Sequence, residues 1–250
     1  MILLENLPKI YKSDPIIISQ LEKEFGDYKD LEAEYDEWWH SVLLNQIITQ
    51  SSSGNGRTAG AGPVDYNEGK ILYFFVRREK PRKVLELGFA SGCSGTIIAR
   101  ALEVNGSGIL HTVDYKSDPM NDKWIIDEFK KYIKNGLIIP FYPKDGVEFA
   151  FENTKEDYKM IFSDASHELD FCDTLAWTLN AYYPDALHLY HEWSFSPLSP
   201  NEAKSYLAIP GNLRFQAFAE RECFEKHFPS KDYEHYGFYG SCGLGIVKKL

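Results

Sequence analysis

The chain has 250 residues, 44% hydrophobic and 26% charged, enough to bury a full core as one α/β domain with an appendage. Its formal net charge of −10 excludes a broad electrostatic grip on nucleic acid, which needs clustered Lys and Arg. No apolar run approaches the roughly 20 residues that cross a bilayer, and polar Glu5 and Asn6 come too early for a signal peptide. The four cysteines, Cys93, Cys172, Cys223 and Cys242, are dispersed, which suits reduced thiols and not a disulfide framework or a zinc site. A cytoplasmic protein with no membrane or nucleic-acid partner is expected.

Residues 1–50 read as helical, with Glu, Asp and aromatics concentrated between Gln20 and Trp39. Ser51 to Pro63 is Gly/Ser-rich and cannot pack a core; it is a linker or a lid that orders over a ligand, and the sequence leaves both open. The chain thus divides into an N-terminal helical extension with its Gly/Ser segment, 1–63, and a main domain, 64–250.

From Val64 onward helices and strands alternate. The patterning predicts a helix over 68–78, a strand over 83–87, a helix over 94–104 and a strand over 109–114. A helix over 124–133, a strand over 137–141 and a short helix over 146–151 follow. Next come a strand over 158–164, a helix over 169–182, a strand over 186–191 and a helix over 213–227. Two last strands, 233–239 and 242–248, meet at a tight Gly240-Ser241 turn. Short apolar strands alternating with helices specify an α/β fold. It is doubly wound, with a mostly parallel seven-stranded sheet covered on both faces, a C-terminal antiparallel hairpin and an N-terminal helical extension.

The stretch from Val84 to Gly95, "VLELGFASGCSG", is a buried strand entering a glycine turn and then a helix. In an open parallel sheet, ligands bind beyond the carboxyl ends of such strands. The dinucleotide fingerprint G-x-G-x-x-G does not fit in either register, since Gly88 is followed by Ala90 and Cys93, and Gly92 by Ser94 and Ile97. An acid-x-Gly-x-small-x-Gly pattern does fit: Glu86, Gly88, Ala90, Gly92. Such a turn suits a ligand without a pyrophosphate and with a cationic amino-acid end. Asp114, closing the second strand, is placed to accept hydrogen bonds from two ribose hydroxyls.

With "VDY" after it, this stretch resembles motifs I and II of the class I S-adenosylmethionine-dependent methyltransferases. "YKMIFSDASH" and "ALHLYHEW" resemble the fourth and fifth strands of their small-molecule O-methyltransferase branch. The resemblance covers roughly Asp65 to Leu250, with Ala90 standing where the family often has glycine. It implies that Glu86, Gly88, Ala90, Ser91 and Gly92 line the methionine and ribose portion of S-adenosylmethionine. It also implies that Asp114 holds the ribose hydroxyls. Asp145 lies where the family contacts adenine, and is equally a helix-capping Asp before Val147. Asn67-Glu68-Gly69 lies where related enzymes start a helix beside the cofactor's amino-acid end.

Methyl transfer to oxygen needs acceptor and methyl held in line, and a base or metal to make the hydroxyl more nucleophilic. The ends of the fourth and fifth strands supply Asp164 and His167 in "DASH", and His191 and Glu192 in "YHEW". Three readings stay open. Asp164 and Glu192, with or without His191, hold Mg2+ through oxygen-rich ligation; His167 or His191 is a metal-free general base; or these residues only cap the following helix and satisfy loop backbone. Related antibiotic-tailoring enzymes carry Glu-Asp where this chain has His-Glu. The loop from Trp193 to Pro200 is either a pocket wall or a rigid turn. The expected function is methyl transfer from S-adenosylmethionine to a hydroxyl of a small molecule, a sugar or secondary metabolite. The alternatives are N-methylation of a small amine or a protein, and a non-catalytic cofactor-binding module. A homo-oligomer is left open.

Overall fold

A computed structural model describes residues 15–47, 64–166, 168–191, 219–238 and 243–250. The Gly/Ser segment, His167, the run from Glu192 through the Trp193–Pro200 loop, and the Gly240-Ser241 turn lie outside the described residues.

Seven strands form one sheet: β1 (Lys83–Leu87), β2 (Ile109–Val113), β3 (Ile138–Phe141), β4 (Met160–Ser163), β5 (Leu187–His191), β6 (Tyr233–Phe238) and β7 (Leu244–Lys249). Their order is β3-β2-β1-β4-β5-β7-β6. The first five are parallel, and β7 runs antiparallel between β5 and β6. The winding therefore reverses between β1 and β4, the place where such sheets open a crevice at their carboxyl ends.

Parallel strands covered on both faces read as apolar runs, with alternate residues going to opposite layers. In β1, Val84 joins one core, while Leu85 and Leu87 join the other. One layer packs α3 (Tyr66–Glu79), α4 (Cys93–Asn105) and α5 (Asp127–Lys134) on the sheet. The opposite layer packs α6 (Gly146–Glu152), α7 (Leu169–Tyr182) and α8 (Ala219–His227).

The N-terminal helices are α1 (Pro15–Phe25) and α2 (Lys29–Trp38), the latter continuing through a π turn at Trp39–Leu43. They share the first core through Leu21, Tyr35, Trp39 and Leu43. A polar seam fixes the docking of α2 on α3. Lys70, buried under α2, pairs with Glu32 at 2.7 Å and Asp36 at 3.3 Å, and Arg77 pairs with Glu34 at 3.0 Å. Only Lys70 is buried in this seam; its carboxylate partners remain about one third exposed.

Most predicted elements appear within a residue or two of their expected bounds. The helix expected from Trp124 begins at Asp127 instead. Ile126 is held out of helical backbone (ψ 133°), and its N–H donates to the Ser91 carbonyl at 3.0 Å, so Ile125 and Ile126 are buried as a brace for the glycine turn.

Candidate active site

The turn after β1 is shaped by what its residues lack. Gly88 has φ +90°, and a β-carbon there would lie 2.2 Å from the Asp164 carbonyl oxygen. Its bareness lets the ends of β1 and β4 close up, tied by the Asp164 N–H donating to the Leu87 carbonyl at 2.8 Å. Gly92 begins α4 with φ +82°, and a β-carbon there would meet the Phe129 ring at 2.5 Å. Between them Ala90 takes φ +39°, a left-handed conformation that costs a non-glycine residue about 1 kcal/mol. It is held there by its N–H donating to Asp114 Oδ2 at 3.0 Å.

Glu86 shares the Val84 face of β1 and is fully buried. Ser94 Oγ donates to its Oε1 at 2.6 Å, and Thr112 Oγ1 donates to Oε2. Burial, opposed by these two hydrogen bonds and reinforced by the Asp164 and Asp114 charges, pushes its carboxyl up to about 7. The Cys93 thiol beside it is pushed up to about 12, mainly by burial. Glu86 is thus buried at the end of β1, tied to α4 through Ser94 and to β2 through Thr112.

Beyond the strand ends lies a cleft of about 340 Å³. Gly88, Ala90, Asp114, Asp145 and Asp164 line it; Glu86, Ser91 and Gly92 are not among its lining residues. Asp114 Oδ1 accepts from the N–H groups of Lys116 at 2.7 Å and Ser117 at 2.8 Å, so its own loop is wrapped around it. With Ala90 on Oδ2, three of the roughly four acceptor positions of a carboxylate are in use, leaving one for a ligand hydroxyl. Asp145 caps α6, accepting from Val147 N at 2.9 Å and Glu148 N at 3.0 Å, and lines the cleft as well. Tyr115, Lys116, Lys144 and Phe171 are also part of the wall. The sequence did carry a signal for them, because each lies close after a strand end or at the start of a helix facing one.

At the β4–β5 end, His191 is 4% exposed. Its Nδ1 lies 3.2 Å from Asp164 Oδ1, and its Nε2 lies 3.3 Å from Glu68 Oε2. Both nitrogens of the imidazole therefore lie near carboxylates, and of the two side chains Asp164 is the one that lines the cleft. Glu68 sits on the first turn of α3 and is brought in across the sheet end. Of the four groups expected at this end, the structure joins Asp164 and His191; His167 and Glu192 are not described. Among the described residues, no group of three or more His, Cys, Asp and Glu side chains could hold a metal ion.

No family model and no curated protein matches the chain. Solved structures do. The O-methyltransferase TomG from Streptomyces achromogenes, involved in tomaymycin synthesis and solved with S-adenosylmethionine, aligns at TM-score 0.56 and 16% identity, over 82% of this chain and 89% of that one. The methyltransferase PaMTH1 of Podospora anserina, bound to S-adenosylhomocysteine, aligns at 0.61 and 14% identity, over 100% of this chain and 97% of that one. An O-methyltransferase from Bacillus cereus, also with S-adenosylhomocysteine, aligns at 0.59 and 15% identity, covering 93% and 96%. The chain therefore shares the fold of these methyltransferases.

Proposed function

We propose that this protein is an S-adenosylmethionine-dependent O-methyltransferase that methylates a hydroxyl of a small molecule. The observation that carries the reading is the cleft at the sheet's reversal point, with the bare Gly88–Ala90 turn and Asp114 on one side and Asp164 on the other. These walls fit the cofactor: main chain without side chains where its methionine and ribose would lie, and one open acceptor position on Asp114 for a ribose hydroxyl. A dinucleotide would need a second and third glycine at spacings the turn lacks. When bound, S-adenosylmethionine supplies an electrophilic sulfonium methyl.

The chain's own residues supply binding, orientation and a place for the proton. Asp114 would hold the ribose and Asp145 the adenine end, with Tyr115 and Phe171 supplying aromatic surface to the cleft wall. We assign the contact with the acceptor to Asp164 and not to His191. The Asp164 side chain reaches the cleft, whereas the imidazole is buried with carboxylates at both nitrogens. Asp164 would accept the hydrogen bond of the acceptor hydroxyl, hold its oxygen in line and receive the proton as the new bond forms. Mg2+ held by Asp164 with Glu192 is a second form of this reading. The described donors do not complete such a site by themselves, so no step is derived through it. Turnover that survives chelation would remove it.

Residues 64–250 would carry the reaction, and the described part of the extension, 15–47, packs against α3. Among the described residues no helix is long and apolar enough to cross a membrane. The dispersed cysteines, none in a Cys-x-x-Cys pair, suit reduced thiols, and on that ground we place the protein in the cytoplasm. Calorimetry against S-adenosylhomocysteine and NAD tests the whole reading: binding to the first and not the second is expected, and the reverse would overturn it.

A further inference from the structure

Glu68 has more partners than a helix cap requires. In a capping box the glutamate returns to the backbone N–H of the cap residue, and here Glu68 Oε2 accepts from Asp65 N at 3.0 Å. That contact alone would leave its other oxygen to solvent. Instead Glu68 is 1% exposed, its Oε1 accepts from the N–H of Gly243 at 2.7 Å, and its Oε2 faces His191 Nε2 at 3.3 Å. Three segments converge on this carboxylate: the start of α3, the entry to β7 and the end of β5.

We propose that Glu68 is a positioning residue for the cleft: it fixes the His191 ring, and through that ring it holds the Asp164 carboxylate at the cleft wall. The inference rests on the reading of Asp164 as the group that meets the acceptor. Asp164 follows the last residue of β4 and belongs to no helix or strand, so its side chain has no regular element to orient it. An imidazole is a rigid plane, so pinning Nε2 against Glu68 settles where Nδ1 lies, and Nδ1 is the atom 3.2 Å from Asp164 Oδ1. A carboxylate presents acceptors only, which suits two backbone N–H groups and a ring nitrogen at once. An amide in its place would turn its NH2 toward either Gly243 N or the His191 side, and it carries no charge to face the ring, so Glu68→Gln changes the surroundings of the His191 nitrogens in both orientations.

The test is nuclear magnetic resonance on 13C,15N-labelled protein, following the His191 ring nitrogens and the Asp164 carboxyl carbon, assigned through His191→Gln and Asp164→Asn. Glu68→Gln is expected to shift both. In the Glu68→Gln/His191→Gln double variant, the Asp164 signal is expected to stay where His191→Gln alone puts it, because the path runs through the ring. Asp65→Ala breaks the other half of the capping box; it should lower the melting temperature and leave both signals in place. An Asp164 signal unmoved by Glu68→Gln overturns the proposal, as does a shift that persists undiminished in the double variant or is matched by Asp65→Ala. Should Glu68→Gln not fold, Glu68→Asp, which keeps the charge and withdraws it by one methylene, takes its place with the same outcomes. S-adenosylhomocysteine affinity, expected to change by less than about threefold in these variants, is read separately. Failure of the unsubstituted protein to bind it would defeat the methyl-donor reading while leaving the Glu68–His191–Asp164 coupling to stand on its signals.

Discussion

On the β1–β2 side of the cleft, the Gly88–Ala90 turn is bare main chain and Asp114 is a carboxylate wrapped by main chain. On the β4–β5 side the Asp164 side chain is backed by other side chains. The first wall is written within a short reach of sequence: Gly88 and Ala90 set the backbone, and the Ala90, Lys116 and Ser117 N–H groups hold Asp114. The second is assembled over long separations, with His191 and Gly243 lying 123 and 175 residues from Glu68. A wall of the first kind is sensitive to added atoms and to φ. One of the second kind is sensitive to the removal of a charge or a hydrogen-bond partner far away in the chain.

The largest expected effect comes where the two walls touch. Gly88→Ala would drive a β-carbon into the Asp164 carbonyl and impose a left-handed φ on a side chain. Destabilisation of roughly 3 kcal/mol in urea denaturation is expected, with loss of S-adenosylhomocysteine binding. A silent substitution there would show that the walls do not depend on each other.

Glu86 gives an effect of similar size that depends on pH. Its folded carboxyl, pushed by burial from 4.5 to about 7, holds its proton more tightly than the unfolded one. Its stabilising contribution is therefore fully present below pH 4.5 and lost as the pH rises through about 7. The shift corresponds to roughly 3 kcal/mol. Denaturation at about pH 5 and about pH 8 should show that Glu86→Gln flattens this fall. An unchanged pH slope would mean that the buried acid is not its source.

Asp114→Ala removes the acceptor for three N–H groups as well as for a ribose hydroxyl. S-adenosylhomocysteine affinity should fall at least tenfold by calorimetry, about 1.4 kcal/mol or more, with the sheet intact by circular dichroism. The smallest effect is a gain. Ala90→Gly relieves a left-handed alanine against the extra freedom of glycine when unfolded, for a net rise of about 0.5 kcal/mol in stability.

The same contrast explains what could be read in advance. The α/β alternation, the seven strands and the 169–182 helix follow from local periodicity, and α7 spans Leu169–Tyr182 as expected. The pattern of Glu86, Gly88, Ala90 and Asp114 is local too. What the pattern could not tell was that Glu86 is fully buried and bonded to Ser94 and Thr112. Strand alternation puts it on the Val84 face, and only the position of α4 above that face decides what it meets. The false start at Trp124 has a tertiary cause as well, since Ile125 and Ile126 look helical but are spent under the turn. Glu68 was visible as part of a helix start. Its engagement with His191 and Gly243 was not, because no spacing rule joins residues brought together by the order of strands in a sheet.

That order also has a consequence for how the protein reaches its native state. β7 inserts between β5 and β6, and the Gly243 N–H at its entry is one of the bonds that lock Glu68. Closing a loop of this length is entropically costly and is a late event when non-local pairings govern the folding rate. A folding intermediate should therefore have its methyl-donor cradle formed before its acceptor side is anchored. Ligand added during refolding would then be captured by molecules that have yet to finish their last strand.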